Sequence, residues 1–241
     1  MFELSDTKYN FPVVPFTVDA SLGAHIHAPF PSSSFFWVLV GSAGAGKTSL
    51  MVNALTAKGK NRVYNRVYDK IVLVQPKNSR MSIKNNPFED LPTEQIFEKL
   101  DYNVIELIEE NKKEFDKNTK NKNMNQLLIL DDITASLKDN EDILLQLTTN
   151  RRHMKLSIIL LVQHLRSISR SVRFQITDIT LFRPSNGLDE ETIHEEFVGN
   201  LNTKEFKKLS RFVWKEPYDN LFINKTTNTL FKNLQKINNI N

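Results

Sequence analysis

The stretch Gly41-Ser42-Ala43-Gly44-Ala45-Gly46-Lys47-Thr48 fits the pattern G-x-x-x-x-G-K-[ST] at every fixed position. A chain can use such a loop only if a buried strand leads into it and a helix leads out, so the motif constrains the fold around it. Both conditions are met. Phe35-Phe36-Trp37-Val38-Leu39-Val40 is a continuous apolar run ending in glycine, as expected of a strand buried on both faces. Thr48 to Lys58 then reads as a helix ending near Gly59. The glycines let the backbone curl so that successive N–H groups point inward at an anion, and the opening helix adds its positive end. In that geometry Lys47 reaches the β- and γ-phosphates of a nucleotide and the Thr48 hydroxyl ligates Mg²⁺. Ser49 completes the set of residues, 41–49, placed against the nucleotide.

The same strand-then-helix rhythm continues. Lys70 to Gln75 is a second apolar strand stopped by Pro76, and residues 76–92 read as a loop. Thr93 to Phe115 reads as a helix with Ile96, Leu100, Val104, Ile105 and Ile108 on one face. Further strands are expected at Leu127–Leu130, Ser157–Val162 and Asp178–Phe182, with a helix at Glu141–Asn150 and two short helical patterns after Asp189. Asn220 to Ile223 reads as a last edge strand. Alternation of this kind predicts an α/β fold with a mainly parallel central sheet flanked by helices. Pro12, Pro15, Pro29 and Pro31 make residues 1–34 an extended N-terminal arm. Residues 35–224 then form the folded domain, and 225–241 a fraying C-terminal tail rich in Asn and Lys.

Asp131 and Asp132 end the Leu127–Leu130 strand, and ligands of parallel sheets collect at that end. Asp131 is the candidate to hold Mg²⁺ beside Thr48, and Asp132 to orient or deprotonate an attacking water. An aspartate turn or helix cap would show the same residues, but a complete phosphate loop upstream favours the catalytic reading. If the acidic strand does not adjoin the loop strand, Ser157–Val162 is the candidate to lie between them. Gln163 would then stand at the γ-phosphate, since a glutamine ending an all-apolar strand needs a partner. This is the arrangement of the P-loop nucleoside triphosphatases of RecA-like, additional-strand type.

Composition excludes several classes. There is no cysteine, hence no disulfide scaffold, thiolate zinc site or cysteine nucleophile. The longest apolar runs fall far short of the roughly 20 residues of a membrane helix. No signal segment opens the chain, which therefore reads as soluble and unexported. A net charge of +4 permits a nucleic-acid partner without requiring one. The D-x-x-G and N-K-x-D signatures of GTPases are missing after Asp131 and at Asn224-Lys225. Arg166, Arg170 and Arg173 could form the lid of a nucleotide kinase, so that alternative stays open. So does a nucleotide-dependent assembly protein without turnover.

Together, the loop, the Leu-Ile-Leu-Asp-Asp strand, Arg152-His153 before a strand ending in Gln163, and Ile168-x-x-x-Val172-Arg173 resemble one family. It comprises the genome-packaging ATPases of large DNA viruses of the poxvirus and giant-virus type, within the FtsK–HerA superfamily of ring-forming DNA motors. The resemblance runs from about Phe35 to about Gly199. It implies an ATP-driven translocase that uses Mg²⁺ and forms a homo-oligomeric ring of roughly five or six subunits. The ring would move double-stranded DNA into a capsid through a capsid or portal component. It further implies action in the host-cell cytoplasm, at the viral factory, with the virion as a second location. Lys47, Asp132 and Gln163 would be catalytic, and Arg152 would reach a neighbour's site. Arg173 matches a further family arginine. Two departures stand out: Gln175 where the family usually has asparagine, and Asp132 where the FtsK branch favours glutamate. DNA would be held through phosphates, with Lys77, Arg80 and Lys84 as candidates, although a solvated basic loop reads the same way.

Overall fold

A computed structural model describes residues 21–81, 86–118 and 123–238. Within them β1 (Phe36–Val40) leads through the glycine loop into α1 (Lys47–Thr56). β2 (Lys70–Val74), α2 (Lys77–Met81), β3 (Ile96–Phe97) and α3 (Tyr102–Lys117) follow. Next come β4 (Gln126–Asp131), α4 (Thr134–Leu137), α5 (Glu141–Asn150) and β5 (Leu156–Val162). The remainder is α6 (Arg170–Phe174), β6 (Asp178–Phe182), α7 (Gly187–Phe197), α8 (Thr203–Val213), β7 (Asn220–Asn224), β8 (Thr229–Lys232) and β9 (Gln235–Lys236).

Among the described residues the strands form one sheet in the order β3-β2-β4-β5-β1-β6-β7-β8-β9. It is parallel from β3 to β6 and antiparallel from β6 onward. β5 lies between the loop strand β1 and the acidic strand β4, as expected if Gln163 is to meet the aspartates. The register sets the three strand ends level: Val40 pairs with Val162, and Asp131 with Leu161.

Alternate residues of each central strand feed two cores, which is why the strands read as continuous apolar runs. Phe36, Val38, Leu128 and Ile158 pack with α3, α5 and α8, whose Ile108, Leu147 and Phe206 close that face. Trp37, Leu39, Ile129 and Ile159 pack on the other face with Met51 and Leu55 of α1 and with Tyr64. Gln126, fully buried at the start of β4, is satisfied threefold. Its Nε2 donates to the carbonyls of Ile108 and Met154, and its Oε1 accepts from Asn111.

The expected helix over Thr93–Phe115 is corrected. Ile96 and Phe97 pair with Leu73 and Val74 as an edge strand, and the helix begins only after Asp101, whose side chain accepts from the backbone N–H of Asn103. The loop over 76–92 contains the short helix α2. Asn220–Asn224 is not the edge of the sheet. β8 and β9 continue it, and Leu230 and Phe231 are buried, so the stretch expected to fray is ordered sheet through Lys236. Residues 21–34 lie against the core: Leu22 and Ile26 are buried in it, and Tyr64 Oη donates to the Pro31 carbonyl at 2.8 Å. Residues 1–20 of the expected arm, and Lys84, lie outside the described residues.

Candidate active site at the ends of three parallel strands

The loop between β1 and α1 is shaped by close backbone approach. A Cβ on Gly41 would sit 2.7 Å from Phe182 Cβ, and Gly44 and Gly46 have φ of 76° and 102°, a region that favours glycine. The Gly41 N–H donates to the Val162 carbonyl at 3.1 Å and fastens the loop to β5. Lys47 folds back onto its own loop, its Nζ donating to the carbonyls of Gly41 at 2.6 Å and Ser42 at 2.9 Å. Burial pulls the Lys47 ammonium below its ordinary pKa, against the attraction of Asp131 and then Asp132.

Asp131 is buried, Asp132 exposed. Burial first, and the charge of Asp132 second, push Asp131 up to about 6, while Lys47 and a hydrogen bond from Gln75 pull the other way. Gln75, at the end of β2, donates from Nε2 to Asp131 Oδ2 at 2.9 Å, and its buried Oε1 has no hydrogen-bond partner. Asp132 occupies the left-handed region, with φ of 55°, and its Oδ2 accepts from the Ser79 hydroxyl of α2 at 2.5 Å. Left-handed backbone in a residue other than glycine concentrates at functional sites.

A cavity of about 310 Å³ is lined by Ala43, Gly44, Lys47 and Thr48 of the loop together with Gln75, Asp131, Asp132 and Gln163. The strand ends therefore bring the predicted lysine, hydroxyl, aspartates and glutamine to one space. The turn carrying Gln163 is fixed by the buried Asp189, which accepts from the Arg166 N–H at 3.2 Å and contacts His164 Nδ1 at 3.3 Å.

The residues fit a magnesium nucleotide. A Cβ at Gly44 would meet nothing within 4 Å, Lys47 rests on the carbonyls of Gly41 and Ser42, and the Thr48 hydroxyl and Asp131 carboxylate line the same cavity. Among the described residues no three His, Cys, Asp or Glu side chains gather as a metal cage. Mg²⁺ takes few protein ligands and relies on phosphate oxygens and water, so Thr48 and Asp131 are the donors this cavity would offer it.

Arg152 is not part of this grouping. It precedes β5, at the opposite end of the strand from Gln163, and lines a larger cavity of about 660 Å³ with Arg151 and Asp178. That cavity has the greater volume and none of the loop chemistry, so size does not mark the site. Arg173 is engaged elsewhere: its guanidinium meets both Glu196 oxygens at 2.7 Å and also donates to the Ile168 carbonyl. Lys77 and Arg80 lie on α2, just past the end of β2. Sequence reasoning missed Gln75 and Ser79. Gln75 carried a usable signal, since like Gln163 it ends an apolar strand.

The DNA-packaging ATPase B204 from Sulfolobus turreted icosahedral virus matches this structure with a TM-score of 0.56 at 15% identity, covering 85% of this chain and 98% of that one. The genome packaging NTPase B204 from Sulfolobus turreted icosahedral virus 2 matches in its AMP complex with a TM-score of 0.52 at 17% identity. Its AMPPCP complex gives 0.51 at 16%, and both cover 83% of this chain and 96% of theirs. At these identities the likeness establishes the fold alone, the α/β P-loop type with a mainly parallel central sheet flanked by helices. No curated protein sequence matches. The sequence pattern of the poxvirus A32 protein family matches residues 28–210, three quarters of the chain. No helix among the described residues is long and apolar enough to cross a membrane. The chain belongs to the poxvirus A32 protein family.

Proposed function

We propose that the chain hydrolyses ATP and couples each turnover to the movement of double-stranded viral DNA into a capsid. The observation that carries the reading is the convergence of Lys47, Thr48, Asp131, Asp132 and Gln163 on one cavity at the ends of β1, β4 and β5. On phosphate binding, Lys47 exchanges its loop carbonyls for the β- and γ-phosphates. Thr48 and Asp131 would hold a Mg²⁺ ion, which would supply positive charge against the charge developing on the phosphoryl group. Asp132 orients or deprotonates the attacking water, with its carboxylate steadied by Ser79. Gln163 contacts the γ-phosphate or that water.

Arg152 precedes β5, at the opposite end of that strand from its own site, and would serve the site of a neighbour in a homo-oligomeric ring of roughly five or six subunits. DNA as cargo is supported by the family and by the packaging ATPase of like fold. A capsid or portal component completes the partners, in the viral factory of the host cell. The test is ATP turnover with and without duplex DNA at two salt concentrations. The reading expects stimulation by DNA that collapses at high salt, because phosphate contacts are lost. Turnover indifferent to DNA at every salt concentration would remove DNA as the cargo.

A further inference from the structure

The glycine loop borders two cavities. Gly44, Lys47 and Thr48 line both. The first holds the aspartates and Gln163. The second, of about 590 Å³, is completed by Gly46, Ser49, Leu50, Phe182, Tyr218 and Asn220 and contains no charged side chain except the shared Lys47. A nucleotide laid in the loop with its γ-phosphate among the acids must carry its nucleoside out over the start of α1. The second cavity lies on that side.

Tyr218 is 70% exposed there, so a face of its ring is open to a ligand. Its backbone is tightly held. Tyr218 has φ of 68°, its carbonyl accepts from Asn220 Nδ2 at 3.3 Å, and the Asp219 carboxylate accepts from the N–H groups of Lys215 and Glu216 at 3.1 and 2.9 Å. Arg183 donates to the Lys215 carbonyl at 3.1 Å, and Asn233, in the turn between β8 and β9, donates to Asp219 at 2.6 Å. The hydrogen bond from Asn233 first, then that from the Glu216 N–H, with Lys232 adding to them, hold Asp219 well below the usual carboxylate range. A Cβ built on Gly46 would lie 3.4 Å from Tyr218 Cδ1 and 3.5 Å from Phe182 Cε1, so both rings border the loop itself. The exposed ring is thus presented at low ordering cost beside the path of the nucleoside.

We propose that this second cavity takes the nucleoside and that the Tyr218 ring is the face on which the base stacks. The proposal rests on the reading of the glycine loop as an ATP site. Stacking uses the π-face that every base has, so Tyr218 contributes affinity without distinguishing adenine from guanine.

The experiment measures equilibrium binding of ATP, GTP and inorganic tripolyphosphate to the full chain and to Tyr218→Ala, Tyr218→Phe and Lys47→Ala. Tyr218→Ala should weaken ATP and GTP by the same factor, roughly five- to 150-fold, and leave tripolyphosphate unchanged. Tyr218→Phe should recover the lost affinity. Unchanged ATP binding in Tyr218→Ala would overturn the proposal. An equal loss for tripolyphosphate would do so too, since the ring would then be supporting the loop and not a base. Lys47→Ala separates the two levels: if it binds ATP and tripolyphosphate as tightly as the wild type, the ATP-site reading fails as well. An exposed ring contributes little to folding, and the thermal midpoint of each variant checks that the chain is intact.

Discussion

Gln75 and Asp131, at the tips of the adjacent strands β2 and β4, are joined by a buried hydrogen bond of 2.9 Å. The bond holds Asp131 in one orientation and favours its charged form, the form that binds a cation. Gln75→Ala should therefore raise the Mg²⁺ concentration needed for half-maximal turnover by roughly ten- to a hundredfold. Titrating MgCl₂ at saturating ATP would read this. An unaltered Mg²⁺ requirement would reduce Gln75 to a space-filling role.

Lys47 and Asp132 share the cavity but should fail differently. Lys47→Ala should lose nucleotide binding and turnover together. Asp132→Asn should keep binding within about threefold and lose roughly 10²–10⁴ in kcat, the usual contribution of a general base. Normal hydrolysis by Asp132→Asn would show that another group activates the water.

Arg152 lies at the far end of β5 from the site in its own chain. If it completes a neighbour's site, mixtures of Arg152→Ala and wild-type chains should lose more activity than dilution explains, because each site needs both partners. A loss strictly proportional to the variant fraction would remove the shared-site idea.

Asp178 gives a pH dependence that does not involve turnover. Burial pushes its carboxyl up to about 7, against hydrogen bonds from Thr177 and Asn224 and the charge of Arg151. An unfolded aspartate releases its proton near pH ~4. Between those values the folded chain binds the extra proton, so this group's stabilisation is complete below the unfolded pKa and is lost as pH rises toward about 7. Asp178→Asn cannot ionise and can still accept from Asn224. It should gain stability relative to wild type as pH rises from about 4 to 7, with a slope of at most about 1.4 kcal/mol per pH unit. Urea midpoints across that range would test it, and a constant difference would contradict it.

The parallel core was legible because its strands carry long apolar runs, such as Phe36–Val40 and Leu127–Leu130, and only a strand covered on both faces needs that. β5 was the candidate to lie between the loop strand and the acidic strand only if those two do not adjoin, and the terminal Gln163 was what marked it. The same criterion applied to Gln75, and its meaning was lost because β2 is separated from β4 by a long helix in sequence. β3 was illegible for a physical reason: two residues of strand cannot set a period, and Ile96 happens to continue the helical spacing of α3. β8 and β9 hide in an Asn-, Thr- and Lys-rich stretch. Pairing to β7 and the burial of Leu230 and Phe231 order it, and neither is visible locally. Tyr218 belongs to no motif and acquires its place from the turn that Asp219 and Asn233 hold.

The most direct measurement is a crystal structure of the chain with Mg²⁺ and a non-hydrolysable ATP analogue. The account predicts the γ-phosphate between Lys47 Nζ and Gln163, the cation on Thr48 and Asp131, and Asp132 within reach of the water behind the γ-phosphate. Triphosphate seated outside the glycine loop, or aspartates turned away from it, would contradict the account.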